Sequence, residues 1–357
     1  MVYLNGKFPA PNGFYKTTKE WYQAYTEIFG TVNTFYKELE YEVELFDELV
    51  FEPNPTIRPV WSGGASVSLM PNGRVYGENG IVITPDNKLL WDVSFEWFTE
   101  PNEHSIFFED GLPIPIKVDE TCAVLTHLDS FNYFHWMFEV LPRIQLIQRS
   151  GISIDKYILN YTLLPFQIET LKLLNIPKNK IIQVKKDTHI LASRLVVPSI
   201  PDYASSWSCG YLRNKLLNVL DQKKNEEYER IYISRMGRRI IVNEDDLMKV
   251  LEKHNFKKIL LDDLSVQDQI RLFSSAKIII GAHGAGLTNL AFCEHGTKVI
   301  EIFPGEYLNP LYWLISNFVK ADYYYIIGDR QKIAAPRFDN IVLDIKQFSD
   351  KIEQIIK

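Results

Sequence analysis

The sequence has little cysteine, and what it has is scattered. Cys122, Cys209 and Cys293 are the only three in 357 residues, and no two stand at CxxC spacing. That gives neither a zinc finger or ribbon nor a disulfide framework, and it fits a reducing compartment. No run of 18 apolar residues occurs, so no spanning helix is expected. Basic residues do not exceed acidic ones: 39 Lys+Arg against 45 Asp+Glu leave a net charge of −6. That argues against a general nucleic-acid binder, although it permits a local basic pocket. The opening stretch MVYLNGKFPAPNGFYK lacks the apolar centre of a secretory signal. The expected location is therefore the cytoplasm, in solution or peripheral to a membrane. Internal repeats, low-complexity tracts, a Walker loop and a GxSxG elbow are all missing. So is any Asp-x-Asp pair, so metal-bridged diphosphate binding of that type is not signalled; no metal ligand is assigned, and a Mn²⁺ or Mg²⁺ requirement stays open.

What is present reads as an α/β protein. At roughly 150 residues per domain the length suggests about two domains. The 13% aromatic content suits stacking on sugars or bases, but filling a large core is the simpler use. Residues 14 to 29 carry Tyr15, Trp21, Tyr22, Tyr25, Ile28 and Phe29 at near-helical spacing. Such a helix meets a membrane surface, a partner, or its own domain. The scarcity of Lys and Arg favours the last. Residues 60 to 118 look β-rich, with turns at Pro71-Asn72-Gly73 and Pro85-Asp86-Asn87. From residue 119 strands alternate with helices: Cys122 to His127, a helix from Tyr133 to Arg149, Lys156 to Asn160, a helix from Pro165, then strands near 180 and 190. That pattern argues for βαβ units. The Ser/Pro-rich stretch 199 to 210 is a candidate linker. A second alternating set follows it, and an amphipathic helix closes the chain at 341–357. The domains expected are 1–205 (a β-rich extension over 1–118, then a Rossmann-like part) and 206–340, with the closing helix a candidate to pack back on the first domain. Two such domains would enclose a cleft, with ligands at the carboxyl ends of the strands.

Three constellations stand just after predicted strands. The first is GAHGAGLTN, residues 281 to 289, where glycines permit close approach of a phosphate and a helix N-terminus offers free N–H groups. His283 adds a donor, and Glu301 near the end of the next strand could accept the hydroxyls of a ribose. The second is ISRMGRRIIVNE, in which Arg235 and Arg239 flank a glycine turn and can clamp a diphosphate. Asn243 there reads as a helix N-cap. The third is YFHWMFEVLPR, in which His135, Glu139 and Arg143 follow at i, i+4 and i+8. A histidine beside a carboxylate can act as a general base. The plainer reading pairs Glu139 with Arg143. Pro142 should disturb this helix near Phe138.

Taken together, these residues resemble glycosyltransferase family 61, over roughly residues 120 to 305 and most densely from Arg230 to Pro304. ISR, RRIIVNE, LSVQDQIRLFSSAKIIIGAHGAGLTNLAFCEHG and VIEIFP follow in the family's order, and HWMFEVLPR resembles its bacterial branch. The resemblance implies a GT-B fold of two Rossmann-like domains. It also implies an inverting transfer from a nucleotide-diphosphate sugar donor, most readily a UDP-sugar of xylose or N-acetylglucosamine, to a glycan or lipid-linked glycan acceptor of surface polysaccharide. Carried onto this chain, Arg235 and Arg239 would bind the diphosphate. His283 and the backbone of Gly284, Ala285, Gly286 and Leu287 would hold phosphate or nucleotide, with Asn289 in the same loop and Glu301 on the ribose. His135 and Glu139 would act from the acceptor side, with Asp129 as the rival base. No cofactor is required by the sequence, and no feature specifies an oligomeric state. Other readings are a nucleotide-sugar epimerase of similar fold, an NAD-dependent oxidoreductase, for which Asn289 stands where a third glycine is expected, and a non-catalytic sugar-binding or scaffolding protein.

Overall fold

The computed structural model describes residues 7–41, 65–160, 162–201, 203–218, 220, 226–333 and 335–357. The start of the predicted β-rich region, 60–64, lies outside them. The chain is mixed α/β and forms two compact units, one from residues 7–41 and 65–201, the other from 203–357. No helix among the described residues is long and apolar enough to cross a membrane.

Among the described residues the first unit is built on one nine-stranded sheet. Its strands are β1 Phe14–Tyr15, β2 Phe35–Leu39, β3 Ala65–Tyr76, β4 Ile81–Ile83, β5 Leu89–Leu90, β6 Ile116–Val124, β7 Lys156–Leu159, β8 Ile181–Gln183 and β9 His189–Pro198. The β-rich stretch is not a separate layer, because β3 pairs antiparallel with β9 and so continues the same sheet. Pro71-Asn72-Gly73 does not turn the chain. It lies inside β3, where Asn72 adopts a left-handed φ of 53° while Pro71 still faces Arg194 and Gly73 faces Ala192. On its other edge β3 pairs with β2 up to Leu69 and with β4 from Arg74. Pro71 thus falls where no neighbour asks for its missing N–H. Pro85-Asp86-Asn87 does turn, between β4 and β5, with Asn87 N–H donating to the Thr84 carbonyl at 3.0 Å. The predicted aromatic helix is α1, Thr18–Phe29. It is started by a capping box between Thr17 and Glu20 and docked on its own unit through the fully buried Trp21.

The parallel part of this sheet runs β8-β7-β6-β9. Numbered by sequence, that order is 3-2-1-4, so the chain changes direction between β6 and β9. The predicted helix after β6 is built as α2 Tyr133–His135, a π-helical turn Trp136–Val140, and α3 Arg143–Ser150. Pro142 has no N–H to give the Phe138 carbonyl. The helix widens there, and the Leu141 amide reaches back five residues to Trp136 O at 3.0 Å. Helix α4, Pro165–Leu173, joins β7 to β8.

The second unit begins with α5, Ser206–Leu212, capped by Ser205, so the second half of the predicted linker is a helix start. Its strands are β10 Arg230–Ser234, β11 Lys257–Leu260, β12 Ile278–Ala282, β13 Lys298–Pro304, β14 Asp322–Gln331 and β15 Asn340–Val342, with α6 Glu244–Glu252, α7 Val266–Ser275, α8 Leu311–Phe318 and α9 Ile345–Ile356. The order β11-β10-β12-β13-β14 is all parallel and reads 2-1-3-4-5, a doubly wound sheet whose switch point lies between β10 and β12. The short β15 adds antiparallel to β14. One face packs on α6 and α9. Leu247, Leu251, Phe348, Ile352 and Ile355 close over Ile280, Ile300 and Ile302. The closing helix therefore packs on the second unit's own sheet. Its apolar stripe matches the face that β10, β12 and β13 leave open. Ile231, Ile279 and Val299, which alternate with these residues, are fully buried too, as a sheet covered on both faces requires.

Candidate active site

In doubly wound sheets the carboxyl ends of the strands at the switch point open a crevice. In the second unit those ends carry Arg235, just after β10, and His283, just after β12. The Arg235 guanidinium lies across the chain at His283 and donates from Nη1 to its carbonyl at 2.8 Å. A Cβ at Gly284 would run into that guanidinium, so this glycine is needed for the arginine rather than for a left-handed turn. Arg239 has a left-handed φ of 54° and donates from Nη1 to Arg337 O at 2.8 Å; its Nε is buried without a hydrogen-bond partner. Among the described residues neither arginine is within ion-pair distance of a carboxylate. Burial and the nearby Arg239 hold the Arg235 pKa down to about 10, and burial lowers Arg239 as well. The two desolvated guanidiniums concentrate positive charge at this strand end.

His283 sits within the reach of both. Its Nδ1 is 2.5 Å from Glu301 Oε1, and Tyr323 donates its hydroxyl to Glu301 Oε2 at 2.6 Å. Phe303 stacks on the ring at 5.2 Å between centroids, and Tyr307 and Tyr312 close two further sides. Burial and the charges of Arg239 and Arg235 keep His283 neutral, well below the ordinary histidine range. Burial raises the Glu301 carboxyl well above its ordinary value, against the opposing pull of Tyr323 and Arg239. Glu301 is fully buried with both oxygens engaged. It orients His283 and does not offer itself to a ribose.

The rest of the glycine loop divides. Ala285–Phe292 is a 3₁₀ helix that starts after Gly284. Ala285 and Gly286 are partly exposed at its N-terminus, where the first amides have no partner within the helix. Leu287 is different: its amide donates to Gly284 O at 2.9 Å and its side chain is in the core. Asn289 is also turned inward, donating to Gln269 Oε1 at 2.8 Å and Gly286 O at 3.1 Å. It fixes the loop from behind. Asn243 stands at the start of α6, but its side chain does not cap that helix. It bonds both backbone groups of Leu343, tying α6 to the chain beyond β15.

In the first unit, the carboxyl end of β6 runs into Thr126 and His127. His135 Nδ1 lies 2.5 Å from Glu139 Oε2, and His127 Nε2 lies 3.0 Å from the same oxygen. The two imidazoles stack at 5.3 Å with planes 19° apart. His135 keeps 17% of its side chain exposed, and its Nε2 faces Asp129 Oδ2 at 3.8 Å, an oxygen that Trp97 Nε1 holds at 2.7 Å. Burial opposes charge on His135, but the Glu139 hydrogen bond and the charges of Glu139 and Asp129 outweigh it and raise the pKa. Glu139 is kept ionised, since the two histidines more than offset its burial. Arg143 does not share this face. The π-helical turn rotates it away, and it is fully buried, donating to Thr126 O at 2.7 Å and Pro198 O at 3.0 Å. It staples the carboxyl ends of β6 and β9.

Candidate ligand atoms of His127, His135 and Glu139 lie within 4.8 Å of one another, close enough to surround a cation. His127 and Tyr323 are the members of these two clusters that motif reading passes over. The signal for His127 was its place at the last position of a predicted strand. The signal for Tyr323 was the unbroken aromatic and β-branched run in DYYYIIGD, which marks a strand beside VIEIFP.

The family model described as Glycosyltransferase 61 matches residues 133–300, which run from α2 through β7, β8 and β9 of the first unit and on to the start of β13 in the second. The chain is similar to the protein O-linked-mannose beta-1,4-N-acetylglucosaminyltransferase 2 of Xenopus laevis, 36% identical over 97 residues, 26% of this chain and 17% of the relative. It is similar to the beta-1,2-xylosyltransferase RCN11 of Oryza sativa subsp. japonica, 39% identical over 67 residues, 19% of this chain and 13% of the relative. The beta-1,2-xylosyltransferase of Arabidopsis thaliana is 38% identical over 65 residues, 18% of this chain and 12% of the relative. The matched stretches thus cover less than a fifth of each relative's length. The match to the glycosyltransferase 61 family model thus takes in a little under half of the chain.

Proposed function

We propose that this chain is an inverting glycosyltransferase of GT-B architecture. It moves a sugar from a nucleoside-diphosphate sugar, UDP-linked, to a hydroxyl of a glycan or lipid-linked glycan acceptor in surface-polysaccharide synthesis. The observation that carries the reading is the pair of desolvated guanidiniums, Arg235 and Arg239, without carboxylate partners at the switch point of a doubly wound sheet. A leaving diphosphate is the anion such a pair suits, since two planar forks can meet its oxygens bidentately. The relatives' names point to N-acetylglucosamine or xylose as the sugar.

In the reaction an acceptor oxygen forms a bond to the anomeric carbon from one side. The bond from that carbon to the diphosphate oxygen breaks on the other, and its electron pair leaves with the diphosphate. Arg235, Arg239 and the amides of Ala285 and Gly286 stabilise that charge, which is preorganised electrostatics and is worth about 3–4 kcal/mol of barrier per donor. The neutral His283, buttressed by Glu301 and Tyr323, supports the same phosphate. His135 takes the acceptor proton on Nε2, with Glu139 fixing its ring.

A thermal-shift panel tests the ligand class. Saturating UDP, UDP-xylose or UDP-N-acetylglucosamine should raise the melting temperature and NAD should not, since a ligand at 100 times its Kd stabilises by about 2.7 kcal/mol. A shift with NAD alone, or with no nucleotide, would remove the donor-site reading.

A further inference from the structure

His127 takes no part in the reaction described above, yet its contacts are more specific than packing requires. Its backbone is clamped on both sides by Asn160: the His127 N–H donates to Asn160 Oδ1 at 3.0 Å, and Asn160 Nδ2 donates to His127 O at 2.7 Å. Its ring is fixed in tautomer as well as in place. The Asp129 backbone amide donates to His127 Nδ1 at 3.1 Å, and an amide can only donate. Nδ1 must therefore hold the lone pair, and the proton of the neutral ring is on Nε2, the atom 3.0 Å from Glu139. Glu139 Oε2 then accepts from His127 on one side and from His135 Nδ1–H on the other.

We propose that His127 is a positioning residue for His135: by donating to Glu139 it holds that carboxylate where it can take only the Nδ1 proton of His135, and so leaves His135 Nε2 as the open lone pair. The same tautomer argues against a cation at this cluster. A histidine that binds a divalent metal through Nε2 must carry its proton on Nδ1 and usually donates it onward. Here Nδ1 of His127 is already an acceptor, so the three groups form a hydrogen-bonded relay and not a ligand set. The groups that face His135 are Glu139, His127 and Asp129, with Trp97 and Phe134 as its aromatic neighbours.

The inference rests on His135 being the base, and the two can fail separately. The full chain labelled with ¹⁵N-histidine reports the proton on each ring nitrogen, with His127 and His135 assigned by single variants. His127 should carry its proton on Nε2, and neutral His135 on Nδ1, with a titration midpoint above the ordinary value of about 6.5. His127→Asn keeps an acceptor for the Asp129 amide but is too short to reach Glu139. A buried carboxylate that has lost one donor holds the shared proton more tightly, so the His135 midpoint should rise by about half a pH unit or more. His127→Gln, whose amide can replace the Nε2 donor, should bring it back. Equimolar Zn²⁺ should leave both sets of resonances in place. A proton on His127 Nδ1, an unmoved His135 midpoint in His127→Asn, or a stoichiometric response to Zn²⁺ would each overturn the relay. Release of UDP from UDP-xylose or UDP-N-acetylglucosamine by His135→Ala tests the other premise. Undiminished turnover there removes His135 as the base whatever the spectra show.

Discussion

At the scale of single residues, the loop GAHGAG shows how a motif can be legible while its reason is not. Glycines beside a predicted phosphate site suggest room for the phosphate. Gly284 makes room for a guanidinium instead, because a Cβ there would occupy the place of Arg235. Gly284→Ala should therefore behave like Arg235→Ala. Each should weaken UDP binding roughly ten- to hundredfold, the worth of about 1.5–3 kcal/mol for a hydrogen bond to a charged group. The double variant should be little worse than either, since both remove one interaction. Additive losses in calorimetric titrations would mean that the glycine serves the ligand directly. His135 with Glu139, and Arg235 with Arg239, were legible from residue type and spacing. Glu301 was legible as a site residue, but its role was not. What spacing did not show is that its carboxylate is buried, with one oxygen on His283 and the other on Tyr323.

At the scale of elements, periodicity located most helices and strands but passed over β2, β14, β15 and α5, and the misreadings elsewhere have local causes. Pro-Asn-Gly reads as a turn, but in β3 it spans the gap between two partner strands on one edge. The i, i+4, i+8 spacing of His135, Glu139 and Arg143 assumes a regular helix. Pro142 forces a π-helical turn, and Arg143 leaves the face. The amphipathic stripe of α9 was plain, but a stripe does not say which surface covers it. That surface is the second unit's sheet, where Ile352 is fully buried against α6 and the strands. Ile352→Ala should cost about 2–5 kcal/mol of stability. Urea unfolding followed by the far-ultraviolet signal measures this. A cost below about 1 kcal/mol would show that α9 is a loosely held appendage.

At the scale of the whole molecule, the alternation of strands and helices fixed an α/β class, but strand order was beyond reach. Which strands neighbour one another depends on pairings far apart in the chain, such as β6 with β9 and β10 with β12. Those pairings create the two switch points and bring Arg235 to His283 across 48 residues. A net charge of −6 likewise hides two guanidiniums that have no carboxylate within ion-pair distance among the described residues. The central claim is that these two arginines, and not a resident metal ion, hold the diphosphate of a sugar nucleotide. Calorimetric titration of the full chain with UDP, in EDTA, tests it most directly when wild type is set beside Arg239→Ala. The account expects wild type to bind with EDTA present and the variant to lose about tenfold or more in affinity. Binding that vanishes with EDTA in the wild type, or equal affinity in the two proteins, would contradict it.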